Sequence, residues 1–213
     1  MFKQRIILFA PLFYGYWKHI KDALEKQGFE VSFVTYRMGK WGDTFNSLKS
    51  PLNQEKKYAD VIFERLKKLE GNWDYLIVIK GNYFTEKHLS YLKRQNPDIK
   101  TIMYQWDSIN NNDYTGLASQ FHKVFTFDFK DAEDCGYNYL PLFYTNDINP
   151  INPGFFEDID LLLVGLYNKP RYEYLRRLEE LKKIVNVRTY IVVPPMLYLK
   201  KQLLNNELEI KQF

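Results

Sequence analysis

Short unbroken apolar runs recur along this chain, each separated from the next by a longer stretch of helical periodicity. That alternation limits the fold more than any other feature. Arg5-Ile-Ile-Leu-Phe9 reads as a buried strand, Tyr16 to Gln27 as a helix ended by Gly28, and Val31 to Thr35 as the next strand. Asn53 to Leu69 places Tyr58, Ile62, Leu66 and Leu69 on one helical face. Asp74-Tyr-Leu-Ile-Val-Ile79 is the clearest buried strand, and Thr85 suits the N-cap of the helix carrying Leu89 and Leu92. The same spacing predicts strands at Lys100–Gln105, Lys123–Thr126 and Tyr137–Pro141, with helices at Tyr114–Phe121 and Phe129–Cys135. Repeated strand–helix–strand units imply a parallel sheet joined by right-handed crossovers, with helices on both faces. About six strands then account for one α/β, doubly wound, Rossmann-like domain over residues 1–145.

Beyond it, residues 146–154 are rich in Asn, Pro and Gly, which is linker chemistry. A new unit follows in 155–213: a strand at Ile159–Val164, Gly165, a helix from Pro170 to Ile184 with Leu175, Leu178 and Leu181 on one face, and a strand at Val187–Val193. Pro170 suits a first helical turn. A lone βαβ cannot cover both faces of a parallel sheet, so 155–213 reads as the opening of a second, incomplete Rossmann-like domain.

Several function classes drop out. None of the ten glycines forms a Gly-x-Gly-x-x-Gly after the first strand or a Gly-x4-Gly-Lys-Ser/Thr, which argues against dinucleotide oxidoreductases and P-loop NTPases. A phosphoacceptor Asp at the end of the third strand would mark a receiver domain, and Lys80 stands there. His19, His88, His122 and Cys135 lack metal-ligand spacing, and Asp158-Ile-Asp160 sits at a strand start, so no metal site is expected. The net charge of +4, from 30 basic and 26 acidic residues, is scattered rather than clustered. Nucleic acid is therefore not an expected partner, while weak peripheral attraction to an acidic membrane surface fits. No run reaches the ~20 apolar residues of a membrane span. The Ile6–Trp17 stretch lacks a cleavage site, and a single cysteine suits a reducing compartment. The expected location is the cytoplasm, with the inner face of the membrane as the alternative station.

In open α/β sheets ligands bind outside the carboxyl ends of the strands. Those ends carry Pro11 to Tyr14, Lys80-Gly81-Asn82, Trp106-Asp107-Ser108, Phe127-Asp128 and Leu142-Phe143-Tyr144. Gly81 permits close backbone approach or a positive φ. Lys80 offers a point charge for phosphate, and Trp106 a stacking face for a sugar or base. Asp107 could act as a general base or bind a sugar hydroxyl. Each has a plainer alternative: Gly81 a turn, Trp106 a core residue, Asp107 or Asp128 a helix cap. Convergence on one sheet edge favours the group reading.

The motifs Val78-Ile-Lys-Gly81, Tyr104-Gln-Trp-Asp-Ser108, Phe125-Thr-Phe-Asp128 with Asp131, Tyr139-Leu-Pro-Leu-Phe-Tyr144 and Asp158-Ile-Asp…Val-Gly165…Arg171 occur in an order that resembles a known family. It is that of bacterial polysaccharide- and lipopolysaccharide-biosynthesis glycosyltransferases, close to the spore-maturation-protein-like group. The resemblance implies a GT-B architecture with an acceptor-side first domain and a donor-side second domain. It implies metal-independent transfer of a sugar from a nucleotide-sugar co-substrate, without a cofactor, to a glycan or lipid-linked glycan. Asp107 would be the catalytic candidate, and Lys80, Gly81, Trp106, Ser108, Asp128 and Tyr144 would bind substrate. Gly165 and Arg171 would begin the donor diphosphate site, with Arg171 as a plain exposed helix residue the alternative. Family members continue well beyond this length, so the expectation is a truncated chain with little activity of its own. Its open strand edge would then invite self-association. The competing reading is a non-catalytic Rossmann-like module that binds a glycan or nucleotide or docks on a partner.

Overall fold

The computed structural model describes residues 3–145, 159–167, 169–178 and 183–192. The chain divides into two compact units, Met1–Thr145 and Asn146–Phe213. In the first, six strands form one sheet: β1 (Arg5–Phe9), β2 (Glu30–Val34), β3 (Tyr75–Ile79), β4 (Lys100–Gln105), β5 (Lys123–Thr126) and β6 (Asn138–Tyr139). Their spatial order is β2-β1-β3-β4-β5-β6, and every adjacent pair is parallel.

The connections follow from that order. Helix α1 (Tyr16–Lys26) returns the chain to β2 on one side of β1. Helices α2 (Lys40–Ser47) and α3 (Pro51–Lys67) then carry it back across to β3, and α4 (Glu86–Gln95), α5 (Thr115–Ala118) and α6 (Phe129–Cys135) continue outward. One face of the sheet packs Ile7, Phe9, Leu76, Val78 and Met103 against Ile62 and Leu66 of α3, Leu89 and Leu92 of α4, and Ala118 of α5. The other face packs Ile6, Leu8 and Val31 against Trp17, Ile20 and Leu24 of α1, its only helical contributors among the described residues. Tyr75 and Ile77 on that face are therefore half-buried rather than enclosed. The doubly wound, Rossmann-like class expected from the alternation is the observed one.

Local chemistry explains the helix starts. Pro51 stands in the first turn of α3, where its missing N–H costs nothing. The Thr85 N–H donates to His88 Nδ1 at 2.8 Å, while the far side of the ring bonds the Ala59 carbonyl at 2.9 Å, so α4 is tied to α3 through its own cap. Burial lowers the His88 pKa, which keeps the ring neutral in this role. Two elements had no sequence expectation: a 3-10 turn at Phe13–Gly15, and α2. The last strand is shorter than the Tyr137–Pro141 reading because only Asn138 and Tyr139 pair with β5.

In the second unit, β7 (Leu161–Leu166) pairs in parallel with β8 (Val187–Val192), and α7 (Lys169–Leu178) connects them. The linker expectation at 146–154, and those for Asp158 and Leu181, lie outside the described residues.

Candidate functional site

The chain leaves β1 toward β2 on one side and reaches β3 on the other, so β1 and β3 flank the topological switch point. Loops that depart to opposite sides leave a crevice at the carboxyl ends of two such strands. Lys80 closes β3 there with a φ of 61°, and the Gly81 N–H donates to the Ile79 carbonyl at 2.8 Å. This is a tight γ-type turn with a non-glycine residue at its centre, a strained arrangement. Gly81 (φ 67°) and, beyond Asn82, Tyr83 (φ 61°) also take positive φ. The turn aims the Lys80 ammonium at Asp107 Oδ2, 2.6 Å away, with side-chain exposures of 13% and 31%. The same ammonium lies 4.8 Å from the centre of the Phe13 ring.

Two chambers flank Lys80. One, of about 250 Å³, is walled by Phe13, Tyr16, Trp106, Leu142 and Phe143. Trp106 meets Tyr16 at 6.1 Å, Phe143 at 5.8 Å and Tyr104 at 6.0 Å between ring centroids. Tyr104 fixes that wall by donating its hydroxyl to the Pro141 carbonyl at 2.9 Å, which holds the segment leading to Phe143 over β4. The other chamber, of about 590 Å³, is more polar than the first, and Asn82, Gln105, Asp113, Tyr114 and Lys56 help line it beside Leu52, Met103 and Leu117. Buried Asn82 Oδ1 and Gln105 Oε1 have no hydrogen-bond partner among the described residues, and unpaired buried acceptors of this kind suit a ligand's hydroxyl or N–H donors.

The remaining expected residues have other roles in the structure. Asp128 caps α6, accepting from the N–H groups of Lys130 at 2.9 Å and Asp131 at 3.1 Å. Ser108 turns to Asp131, its Oγ 3.3 Å from Oδ1. Buried Asp131 is a hub: it also accepts from the Ile109 N–H at 2.8 Å and the Tyr114 hydroxyl at 3.2 Å. Burial is the main reason that the Tyr114 phenol is pushed up to about 12, and the Asp131 charge adds to it. Tyr144 is 83% exposed. In the second unit the Arg171 guanidinium lies against Gly165, where an added Cβ would stand 2.8 Å from Nη1. Glycine at 165 is what lets that side chain approach the strand.

The site thus brings together Lys80, Gly81, Trp106 and Asp107, and leaves Asp128 and Ser108 to hold the loops beneath them. Phe13 and Phe143 join it from the strand ends that the sequence had marked, and Tyr16 joins from the first turn of α1. Asn82 lay in a marked strand end without a role of its own, and Gln105 was missed as a candidate, because an amide at a strand end signals nothing until its unpaired oxygen is seen. No group of three metal-ligating side chains occurs among the described residues.

The strand order and its crevice define a doubly wound α/β protein with a ligand-sized site at the switch point. No protein-family model matches the chain, and no curated protein matches it. Among solved structures it is similar to the glycosyltransferase SsfS6 of Streptomyces sp. SF2575, complexed with thymidine diphosphate. The identity is 12%, with 91% of this chain and 69% of that one covered and a TM-score of 0.44.

Proposed function

We propose that this chain is a glycosyltransferase-like protein of cell-surface polysaccharide or lipopolysaccharide assembly. It would move a sugar from a nucleotide-sugar to a glycan or lipid-linked glycan. The observation that carries the reading is the Lys80–Asp107 pair, held by a strained turn beside the Trp106 wall. Sugar rings offer apolar C–H faces and polar hydroxyl edges, and this site pairs an aromatic wall with a charged rim. In the proposed step the acceptor hydroxyl gives its proton to Asp107 while its oxygen bonds the anomeric carbon. The anomeric carbon's bond to the diphosphate oxygen breaks, and the nucleoside diphosphate leaves with that electron pair. Lys80 holds the carboxylate in place through the 2.6 Å contact. Gly165 and Arg171 are the proposed start of the diphosphate site, since a guanidinium matches phosphate geometry.

The second reading is a glycan- or nucleotide-binding module without catalysis. It is favoured by the same ion pair, because the Asp107 carboxylate is already engaged by the Lys80 ammonium at 2.6 Å. Release of nucleoside diphosphate from a panel of nucleotide-sugars with glycan acceptors separates the two. The transferase reading expects turnover that Asp107→Asn lowers by about 10²–10⁴-fold, with glycan binding kept. Turnover equal in Asp107→Asn and wild type removes Asp107 from the chemistry. Glycan binding lost in Trp106→Ala, with no turnover in wild type, leaves the binding module.

A further inference from the structure

Helix α2 is built inside out. Trp41, Phe45 and the C-cap residue Leu48 are spaced at i, i+4 and i+7, the interval of a core-facing stripe, and Leu52 follows in the first turn of α3. The structure buries the opposite face instead. Asp43 and Asn46 are the buried residues of the helix. Asp43 accepts from the Met38 N–H at 3.1 Å and lies 2.9 Å from Arg37 Nε. Asn46 donates to the Gln54 carbonyl at 3.2 Å, and Gln54 donates to the Lys49 carbonyl at 2.6 Å. These polar bonds set the roll of the helix, and the apolar stripe is turned to water. Trp41, Phe45, Leu48 and Leu52 are 73%, 64%, 80% and 75% exposed.

Single exposed apolar residues are ordinary, but four from one short segment mark an interaction surface. The charge around them names the partner. Residues 37–57 hold five basic side chains (Arg37, Lys40, Lys49, Lys56 and Lys57) against Asp43 and Glu55, and so supply three of the chain's net four positive charges. Asp43 is buried against Arg37, which leaves Glu55 as the exposed acid of the segment. Protein interfaces deplete lysine, whereas tryptophan, phenylalanine and leucine bordered by lysine suit the boundary between lipid headgroups and acyl chains.

We propose that this ridge seats the protein on an anionic lipid surface. Trp41, Phe45, Leu48 and Leu52 enter the headgroup–acyl boundary while Lys40 and Lys49 engage lipid phosphates. Leu52 also lines the larger chamber beside Lys80, so a surface docked here lies next to a candidate ligand site. The proposal rests on α2 and the turn into α3, and stands whether or not that site transfers sugar.

The test is co-sedimentation of the full chain with vesicles of phosphatidylcholine, with and without phosphatidylglycerol. Wild type is expected to bind the phosphatidylglycerol vesicles, and added salt should weaken that binding. Phe45→Ser with Leu48→Ser should weaken it by at least about tenfold, since each removes apolar area from the boundary. Its urea midpoint should stay in place, because both side chains stand in water. Lys40→Glu with Lys49→Glu should lower binding to the same vesicles. Equal binding by wild type and the Phe45/Leu48 variant overturns the proposal, as does binding that ignores phosphatidylglycerol. A lipid-independent dimer that the Phe45/Leu48 variant disperses would overturn it in favour of a second copy of the chain.

Discussion

Lys80 joins backbone strain and a partly buried charge in one residue, and two substitutions separate these contributions. Lys80→Ala removes the ammonium but keeps a side chain at a φ of 61°. Lys80→Gly removes the ammonium and also relaxes the turn. The lost ion pair, 2.6 Å long with exposures of 13% and 31%, lies between the surface and buried regimes. It is worth about 1–2 kcal/mol, and the contact with the Phe13 ring adds about 0.5–1 kcal/mol. Lys80→Ala should therefore destabilise the protein by about 2 kcal/mol. A left-handed residue with a Cβ costs about 1–2 kcal/mol, and glycine's greater unfolded-state freedom takes back about 0.5–1. Lys80→Gly should thus be more stable than Lys80→Ala by about 0.5–1 kcal/mol, although glycine ordinarily weakens a position. Urea unfolding of the three proteins, at equal m-values, reads both differences. If Lys80→Ala matched or exceeded Lys80→Gly in stability, the turn would hold no strain. If Lys80→Ala matched wild type, the pair with Asp107 would contribute nothing to folding.

Asp131→Ala should cost about 3 kcal/mol, because it strands the Ile109 N–H, leaves the Ser108 hydroxyl without its acceptor and leaves the Tyr114 hydroxyl with only Thr126 Oγ1 to accept it. A urea-derived loss under about 1 kcal/mol would show that water replaces the hub. His88 is held below its ordinary 6.5 by burial, so the folded state binds fewer protons than the unfolded one as pH falls. Its contribution to stability is present above pH 6.5 and is lost as pH drops through the folded value. His88→Gln should flatten stability against pH on the acid side of 6.5, and an unchanged slope would mean the ring does not titrate on unfolding.

Most of the first unit was legible in the sequence. Strands Lys100–Gln105 and Lys123–Thr126 and helix Phe129–Cys135 form over the residues their patterns marked. Apolar alternation and helical spacing are properties of neighbouring residues, and an all-parallel sheet with crossovers on both faces follows from their order. The edge on which Lys80, Trp106 and Asp107 gather was legible for the same reason, since parallel strands present their carboxyl ends together. What the side chains do at that edge was not. Asp107 and Asp128 look alike in sequence, each just beyond a strand, yet one meets an ammonium from β3 and the other caps its own helix. Only the sheet order, which sets β3 beside β4, makes that difference. Helix α2 was not expected from the sequence, and although Trp41, Phe45 and Leu48 share one of its faces, the contacts of Asp43 and Asn46 with Arg37, Met38 and Gln54 bury the other. Periodicity says that a helix has two faces. Which one is buried depends on the polar partners that the rest of the fold brings to it.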